Sequence, residues 1–327
     1  MKKILFLFTG GTISMKIDPD LGVAVPVLSG EKILSFVPGL DQLCLLEILD
    51  FSRLPGPHMT PARMFDLSEV LNRQLARHDI DGIVITHGTD TLEETAFLLD
   101  LRLQIPKPVA VVGAMRNSSE LGWDGPGNLK AAVRVVLEPQ SARHGVIVVM
   151  SEQILAASEA TKTHTEAFNA FQSPNFGPLG IVEKDRILWM RQPVQRQTLL
   201  SDRIETEVDL LKVVAGFDDS LIQFLIERGS QGMVIEGTGR GNVPPAALPG
   251  IQTALERGIP IVIASRCLQG RVLDTYGYEG SGRDLRRRGA IFSGFLPGQK
   301  ARIKLMVVLG KTRNLSEIKR LMEEGMY

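Results

Sequence analysis

Three short segments place hydroxyls, carboxylates and a lysine where a hydroxyl could be made nucleophilic. The first, Thr9-Gly10-Gly11-Thr12-Ile13-Ser14, follows an apolar run. Paired glycines let the backbone approach a ligand closely and present N–H groups as an oxyanion nest, while two threonines bring hydroxyls to the same rim. The same letters also fit a tight strand exit in which Thr12 only turns or caps the chain. Neither the Walker spacing with its lysine nor the third glycine of a dinucleotide loop is present, which argues against a nucleotide cofactor.

The second segment, Thr86-His87-Gly88-Thr89-Asp90-Thr91-Leu92-Glu93-Glu94-Thr95, follows Ile83-Val84-Ile85. A hydroxyl, a carboxylate and another hydroxyl come before a helix that opens with two acids near its positive end. Asp90 or Thr91 could simply cap that helix, with Glu93 or Glu94 completing a capping box. Capping accounts for one or two of these side chains, not all. The third segment is Glu159-Ala160-Thr161-Lys162-Thr163-His164. A desolvated lysine can serve as the base for a hydroxyl nucleophile, as when Ser or Thr pairs with Lys instead of His, although a lone lysine is more often a surface residue. His87 and Asp90 are the nearest pair of potential metal ligands, and nothing beside them completes a site, so no metal is expected.

These segments need a scaffold that gathers them. Ile4–Phe8, Gly82–Thr86, Val109–Gly113 and Gly145–Met150 read as strands, and Pro61–His78, Leu92–Arg102 and Gly127–Leu137 as helices with apolar spacing near three and four. Alternation of this kind predicts an α/β fold with a doubly wound, mainly parallel sheet, and ligands in such sheets sit beyond the carboxyl ends of the strands. Past residue 180, Ile181–Met190 reads as a hairpin and the polar stretch that follows as a linker. A second series then runs through Leu211–Ala215, Leu221–Arg228, Gly232–Glu236, Ala246–Arg257, Ile259–Ser265 and Ser316–Glu324. The expected organisation is a larger N-terminal domain over residues 1–190 with the reactive threonines, a linker over 191–211, and a smaller parallel-sheet domain over 212–327.

At 327 residues the chain has ample length for such a core, and 37 basic residues against 37 acidic ones leave no net charge to attract nucleic acid or an anionic membrane. A small or zwitterionic ligand fits better. Arg283-Asp284-Leu285-Arg286-Arg287-Arg288 reads as a solvated helix face or a subunit contact rather than a nucleic-acid site. Cys44 and Cys267 form no disulfide or metal spacing and read as buried apolar fillers in a reducing compartment. The apolar run after Met1-Lys2-Lys3 stops at Thr9, too short for a signal peptide, and no stretch approaches the roughly 20 apolar residues of a membrane span. A cytoplasmic location is expected.

Taken together, the segments resemble the bacterial L-asparaginase family. Both family signatures are present, as Thr9-Gly10-Gly11-Thr12-Ile13 and Thr86-His87-Gly88-Thr89-Asp90-Thr91. With them come Val112-Gly113-Ala114-Met115-Arg116, Asp124-Gly125-Pro126-Gly127-Asn128-Leu129, Thr161-Lys162-Thr163 and Asn175-Phe176-Gly177-Pro178-Leu179-Gly180. Glu236-Gly237-Thr238-Gly239-Arg240-Gly241-Asn242 and Gln299-Lys300-Ala301-Arg302 extend the resemblance, in order, over nearly the whole chain. It implies an amidohydrolase without cofactor in which Thr12 attacks the side-chain amide of asparagine and water releases aspartate from the acyl-enzyme. Thr89, Asp90 and Lys162 match the second threonine, aspartate and lysine of the family's site. Lys162 would take or relay the Thr89 proton, Asp90 would hold the substrate ammonium, and backbone around Gly11 and Gly88 would line the oxyanion. The Ala114 carbonyl would accept from the leaving ammonia. A dimer that builds the site at its interface, or a tetramer of two such dimers, is also implied.

Two departures stand out. Many members carry a tyrosine on the loop after the first signature, yet 15–30 contains none, and the tyrosines are Tyr276, Tyr278 and Tyr327. Tyr276 or Tyr278 of a neighbouring subunit is the expected substitute, with Glu279 as an acidic contact to the substrate ammonium. The segment that usually offers a serine to the substrate α-carboxylate reads Leu54-Pro55-Gly56-Pro57-His58-Met59-Thr60, so Gly56 and His58 are the candidate replacements. L-Glutamine as co-substrate is the nearest rival, because one methylene discriminates by only about 1–3 kcal/mol. An amidotransferase subunit would be expected to carry an extra N-terminal domain. An asparagine-binding sensor would tolerate loss of Thr12, Thr89 or Lys162.

Overall fold

Ile4, Leu5, Phe6 and Leu7 are completely buried in β1 (Lys3–Gly10), as an apolar run must be when it forms a central parallel strand covered on both faces. The computed structural model describes residues 1–194 and 196–324. A short hairpin of β2 (Met15–Ile17) and β3 (Ala24–Pro26) follows, then α1 (Gly30–Ser35) and β4 (Leu45–Leu54). Next come α2 (Pro61–Leu75), β5 (Gly82–Thr86), α3 (Leu92–Arg102), β6 (Val109–Val112), α4 (Gly125–Val136) and β7 (Val146–Met150). Antiparallel β8 (Gln153–Ala156), the small pair β9 (Thr161–Lys162) and β10 (Phe171–Gln172), and the hairpin β11 (Gly180–Val182) and β12 (Ile187–Trp189) complete this part.

The main sheet has the order β12-β11-β8-β7-β6-β5-β1-β4. Its pairs are parallel from β4 to β7 and antiparallel beyond. Thr86 pairs with Phe8, and Gly10 with Leu54, so β1, β4 and β5 end at one edge. α3 packs on β6 and β7, and α4 on β5 through β7. The resulting core reaches from Ile4 to Val182.

By its contacts the chain divides into two compact units, Met1–Thr198 and Leu199–Tyr327. The second contains β13 (Val208–Lys212), α5 (Ser220–Arg228), β14 (Gly232–Gly237), α6 (Leu248–Glu256), β15 (Ile261–Ser265), α7 (Gly282–Arg288), β16 (Ile291–Phe292), α8 (Gly298–Lys311) and α9 (Leu315–Glu323). Its four strands lie parallel in the order β13-β14-β15-β16 around a core of their own.

Several expectations needed correction. β4 was not anticipated: it is an edge strand whose Leu45, Leu46 and Ile48 are exposed, so its letters lack the alternation of a half-buried strand. α8 was seen only as a motif, because it is buried on nearly every side, even at Lys300 and Lys304, and so shows no amphipathic stripe. The second unit's first strand begins at Val208, inside the segment expected to be linker and three residues before Leu211. Cys44 is buried as expected, and burial raises its thiol pKa to about 11. Cys267 is exposed, because β15 ends at Ser265 and releases the chain to the surface.

Candidate active site

The carboxyl ends of β1, β4, β5 and β6 lie side by side in the sheet, and each leads into a segment singled out from the sequence. Gly11 (φ 85°) turns the chain after β1 so that Thr12 opens a single 3-10 turn over Thr12–Ser14, locked by the Ser14 hydroxyl donating to the Gly11 carbonyl at 2.7 Å. Thr12 is half-buried. After β5 come His87, Gly88 and Thr89, all buried, and then Asp90, whose side chain is 57% exposed.

Glycines bring these exits into contact. A Cβ on Gly11 would lie 2.3 Å from the Gly88 Cα, and one on Gly88 would lie 2.6 Å from the Gly56 Cα. Real Cβ atoms do not approach backbone so closely, so Gly11 and Gly88 each have a packing reason for being glycine, separate from any ligand contact, while a Cβ on Gly56 would find its nearest backbone atoms at 3.3 Å. The approach also places Thr12 and Thr89, each following one of the touching glycines, on adjoining loops. Gly113 extends the same packing from β6: a Cβ there would stand 2.9 Å from the His87 carbonyl oxygen and 3.0 Å from the Thr89 methyl.

Lys162 arrives from β9, far along the chain. Its Nζ donates to Thr89 Oγ1 at 3.0 Å and to Asp90 Oδ1 at 2.6 Å, with the lysine side chain only 15% exposed. Hydroxyl, lysine nitrogen and carboxylate thus form one chain of hydrogen bonds. The lysine's backbone is steadied as well, because its N–H donates to the buried carboxylate of Glu93 at 3.4 Å. Of the capping alternatives for this segment, that of Thr91 is corrected. Thr91 occupies the N-cap position of α3 without capping it, and its hydroxyl donates to the Gly56 carbonyl at 2.7 Å, tying the β5 exit to the β4 exit.

His87 binds no exposed group. Its ring lies between the Gly88 carbonyl and the Thr95 hydroxyl, each at 2.8 Å, and burial pulls its pKa down to about 4 against the opposing effect of the Gly88 bond. It is a neutral strut beneath the loop. Among the described residues no group of three or more His, Cys, Asp and Glu could hold a metal ion.

The other candidates are less closely gathered. His58 is exposed at the end of the turn Gly56–His58, whereas Ala114 is fully buried. Tyr278 and Glu279 belong to the second unit and are exposed, and Tyr278 stacks on Tyr276 with ring centres 5.6 Å apart. Tyr327 lies outside the described residues. The arginine run on α7 is partly used locally: Arg286 pairs with Asp274 and Glu323, and Arg288 with Asp284. Sequence reading noted Asp124 and Asn128 as motif letters only. Both hold the turn after β6, and an aspartate at a helix start looks like an ordinary cap until that turn is seen beside it.

A hydroxyl–lysine–carboxylate chain thus lies at the carboxyl edge of a doubly wound α/β sheet. The chain belongs to the asparaginase family. Residues 3–195 match the family's N-terminal asparaginase domain, and residues 207–322 match the glutaminase/asparaginase C-terminal domain. It is 37% identical to a probable L-asparaginase of Deinococcus radiodurans, covering 100% of this chain and 99% of that protein. It is 34% identical to an L-asparaginase of Bacillus licheniformis over 94% of this chain and 95% of the relative. A crystal structure of a probable cytoplasmic L-asparaginase from Campylobacter jejuni superposes with a TM-score of 0.88 at 29% identity, covering 98% and 99% of the two chains.

Proposed function

We propose that the protein is an L-asparaginase that hydrolyses L-asparagine to L-aspartate and ammonia through a threonine nucleophile. The observation that carries this reading is the placement of Lys162 Nζ between Thr89 Oγ1 and Asp90 Oδ1. In the proposed reaction Thr12 Oγ1 attacks the amide carbon, its proton passes to the amide nitrogen, the C–N bond breaks, ammonia leaves, and an ester to Thr12 remains. Water activated by Thr89 and Lys162 then attacks that ester, and aspartate departs with the Thr12 hydroxyl restored. Lys162, as the free amine, takes the proton from Thr89, and Asp90 orients the lysine while its exposed edge receives the substrate ammonium. Backbone N–H groups around Gly11 and Gly88 supply the oxyanion contacts, and the Ala114 carbonyl is our candidate acceptor for the departing nitrogen.

Gly56 and His58 are our candidates for the substrate α-carboxylate. Tyr276 or Tyr278 and Glu279 of a neighbouring subunit would complete the site, which requires a dimer, and two dimers would make a tetramer. The protein is proposed to work in the cytoplasm. Support for this comes from the "Probable Cytoplasmic" title of the Campylobacter jejuni neighbour; no helix among the described residues is long and apolar enough to cross a membrane.

Ammonia release from L-Asn, D-Asn and L-Gln, by the parent and by Thr12→Ala and Thr89→Ala, tests the proposal. We expect release from L-Asn by the parent and loss of it in both variants. A parent that releases none, or variants that keep full activity, would overturn it. Release from L-Gln at a comparable rate would instead assign a glutaminase-asparaginase.

A further inference from the structure

Asp124 stands at the start of α4, where an aspartate normally accepts from its own helix, yet its carboxylate makes no capping bond. It reaches back to the turn after β6 instead, accepting from the Met115 N–H at 3.0 Å and the Arg116 N–H at 3.0 Å, and from Asn128 Nδ2 at 2.9 Å. Asn128, itself buried, donates from Nδ2 to the Gly113 carbonyl at 3.1 Å and accepts at Oδ1 from the Ser151 N–H at 3.0 Å. Ser151 (φ 48°) and Glu152 (φ 63°) are the non-glycine residues with positive φ among those described, a conformation that persists where surrounding contacts over-determine it. Two side chains of α4 thus hold the exits of β6 and β7 together.

What this clamp holds is the wall against Thr89. Gly113 packs on the Thr89 methyl and on the carbonyl of His87, with no room for even a Cβ. The side chain of threonine turns about one bond, so a wall that seats the methyl also decides where the hydroxyl points. Here it points at Lys162 Nζ, 3.0 Å away.

We infer that Asp124 and Asn128 are positioning residues for the reaction: through the Gly113–Met115 turn they hold the Thr89 methyl and thereby keep its hydroxyl on Lys162. The inference rests on the functional reading above for its catalytic consequence, and on geometry alone for its rotamer consequence.

The test is a double-mutant cycle between Asp124→Asn and Thr89→Ser, since serine keeps the hydroxyl and lacks the methyl. With L-asparagine, Asp124→Asn is expected to lower kcat about 10- to 100-fold with KM within about threefold, while in the Thr89→Ser background the same change costs less than about threefold. Costs that multiply across the cycle, or a change in KM alone, would overturn the inference. Should Asp124→Asn fail to fold, Asn128→Ser, which removes the Gly113 contact, is read in the same cycle. The Thr89 γ2-methyl resonance in methyl-labelled holo-length protein gives a readout independent of turnover. Either variant should move it towards a rotamer-averaged position, and an unmoved resonance would sink the inference. A parent inactive on L-asparagine with a methyl that does shift would refute the functional reading and leave the clamp standing.

Discussion

β5 and β14 are both buried parallel strands that run into loops of glycine and threonine, as Ile85-Thr86-His87-Gly88-Thr89 and Ile235-Glu236-Gly237-Thr238-Gly239. After β14 the loop closes on itself. Thr238 N–H donates to the Asn242 carbonyl at 2.8 Å, Asn242 N–H returns a bond to the Thr238 carbonyl at 2.9 Å, and the Thr238 hydroxyl also goes to Asn242, at 3.2 Å. After β5 the Thr89 hydroxyl has no such local acceptor and meets a lysine 73 positions away in the chain. Glu236 sharpens the contrast, because this buried carboxylate pairs with an exposed lysine on the neighbouring strand, Lys212, at 3.1 Å. Similar local letters therefore give a self-contained turn in one unit and, in the other, a hydroxyl bonded to a distant lysine. What separates them is the partner: a lysine from a distant segment at Thr89, the loop's own Asn242 at Thr238.

The comparison breaks most directly in turnover. Thr89→Val and Lys162→Met should each lower kcat/KM for L-asparagine by at least about 10³-fold, whereas Thr238→Val should lower it by less than about tenfold. Equal losses at the two loops, measured by steady-state ammonia release, would end the distinction.

The next effect is in acid stability. His87 titrates near 6.5 unfolded and about 4 folded, so between those values the unfolded chain binds the extra proton and stability falls as pH drops. The shift corresponds to at most about 3 kcal/mol, complete by roughly pH 4. Urea unfolding from pH 7 to pH 4 should show this loss in the parent and a flatter profile in His87→Gln, and parallel profiles would remove His87 from the account.

A smaller effect separates the glycines. Gly88→Ala puts a Cβ 2.6 Å from the Gly56 Cα and should destabilise by about 1–3 kcal/mol. Gly239→Ala has its nearest neighbour at 3.8 Å and only a positive φ of 52° to accommodate, so it should cost no more than about 1 kcal/mol. Equilibrium unfolding of both variants reads the difference, and a reversed order would mean that the loops after β1, β4 and β5 are not in fact pressed together.

Much of this was legible in advance where the physics is local. β1, β5, β7 and α3 followed from buried apolar runs and helical spacing, and α3 begins and ends at the expected residues, Leu92 and Arg102. Elements whose burial depends on their neighbours were not legible. β4 looks irregular because it is an exposed edge, and α8 shows no stripe because the second unit surrounds it. Missing β4 hid the reason why Gly56 sits beside Gly88. Thr91 and Asp124 both look like caps in the letters because each stands at a helix start, yet Thr91 spends its side chain on the β4 exit and Asp124 on the turn after β6.

That β1, β5, β6 and β7 are buried parallel strands, with hydroxyls at the carboxyl ends of β1 and β5, is readable in the letters because hydrophobic period and glycine content act within a few residues. The folded molecule was needed to see why Gly11 and Gly88 must be glycine where their loops touch, that Asp124 and Asn128 hold the turn after β6, and that His87 is held as a strut rather than offered to a ligand. Those outcomes depend on distances of about 3 Å between segments remote in sequence, and strand order and register in the folded sheet set such distances.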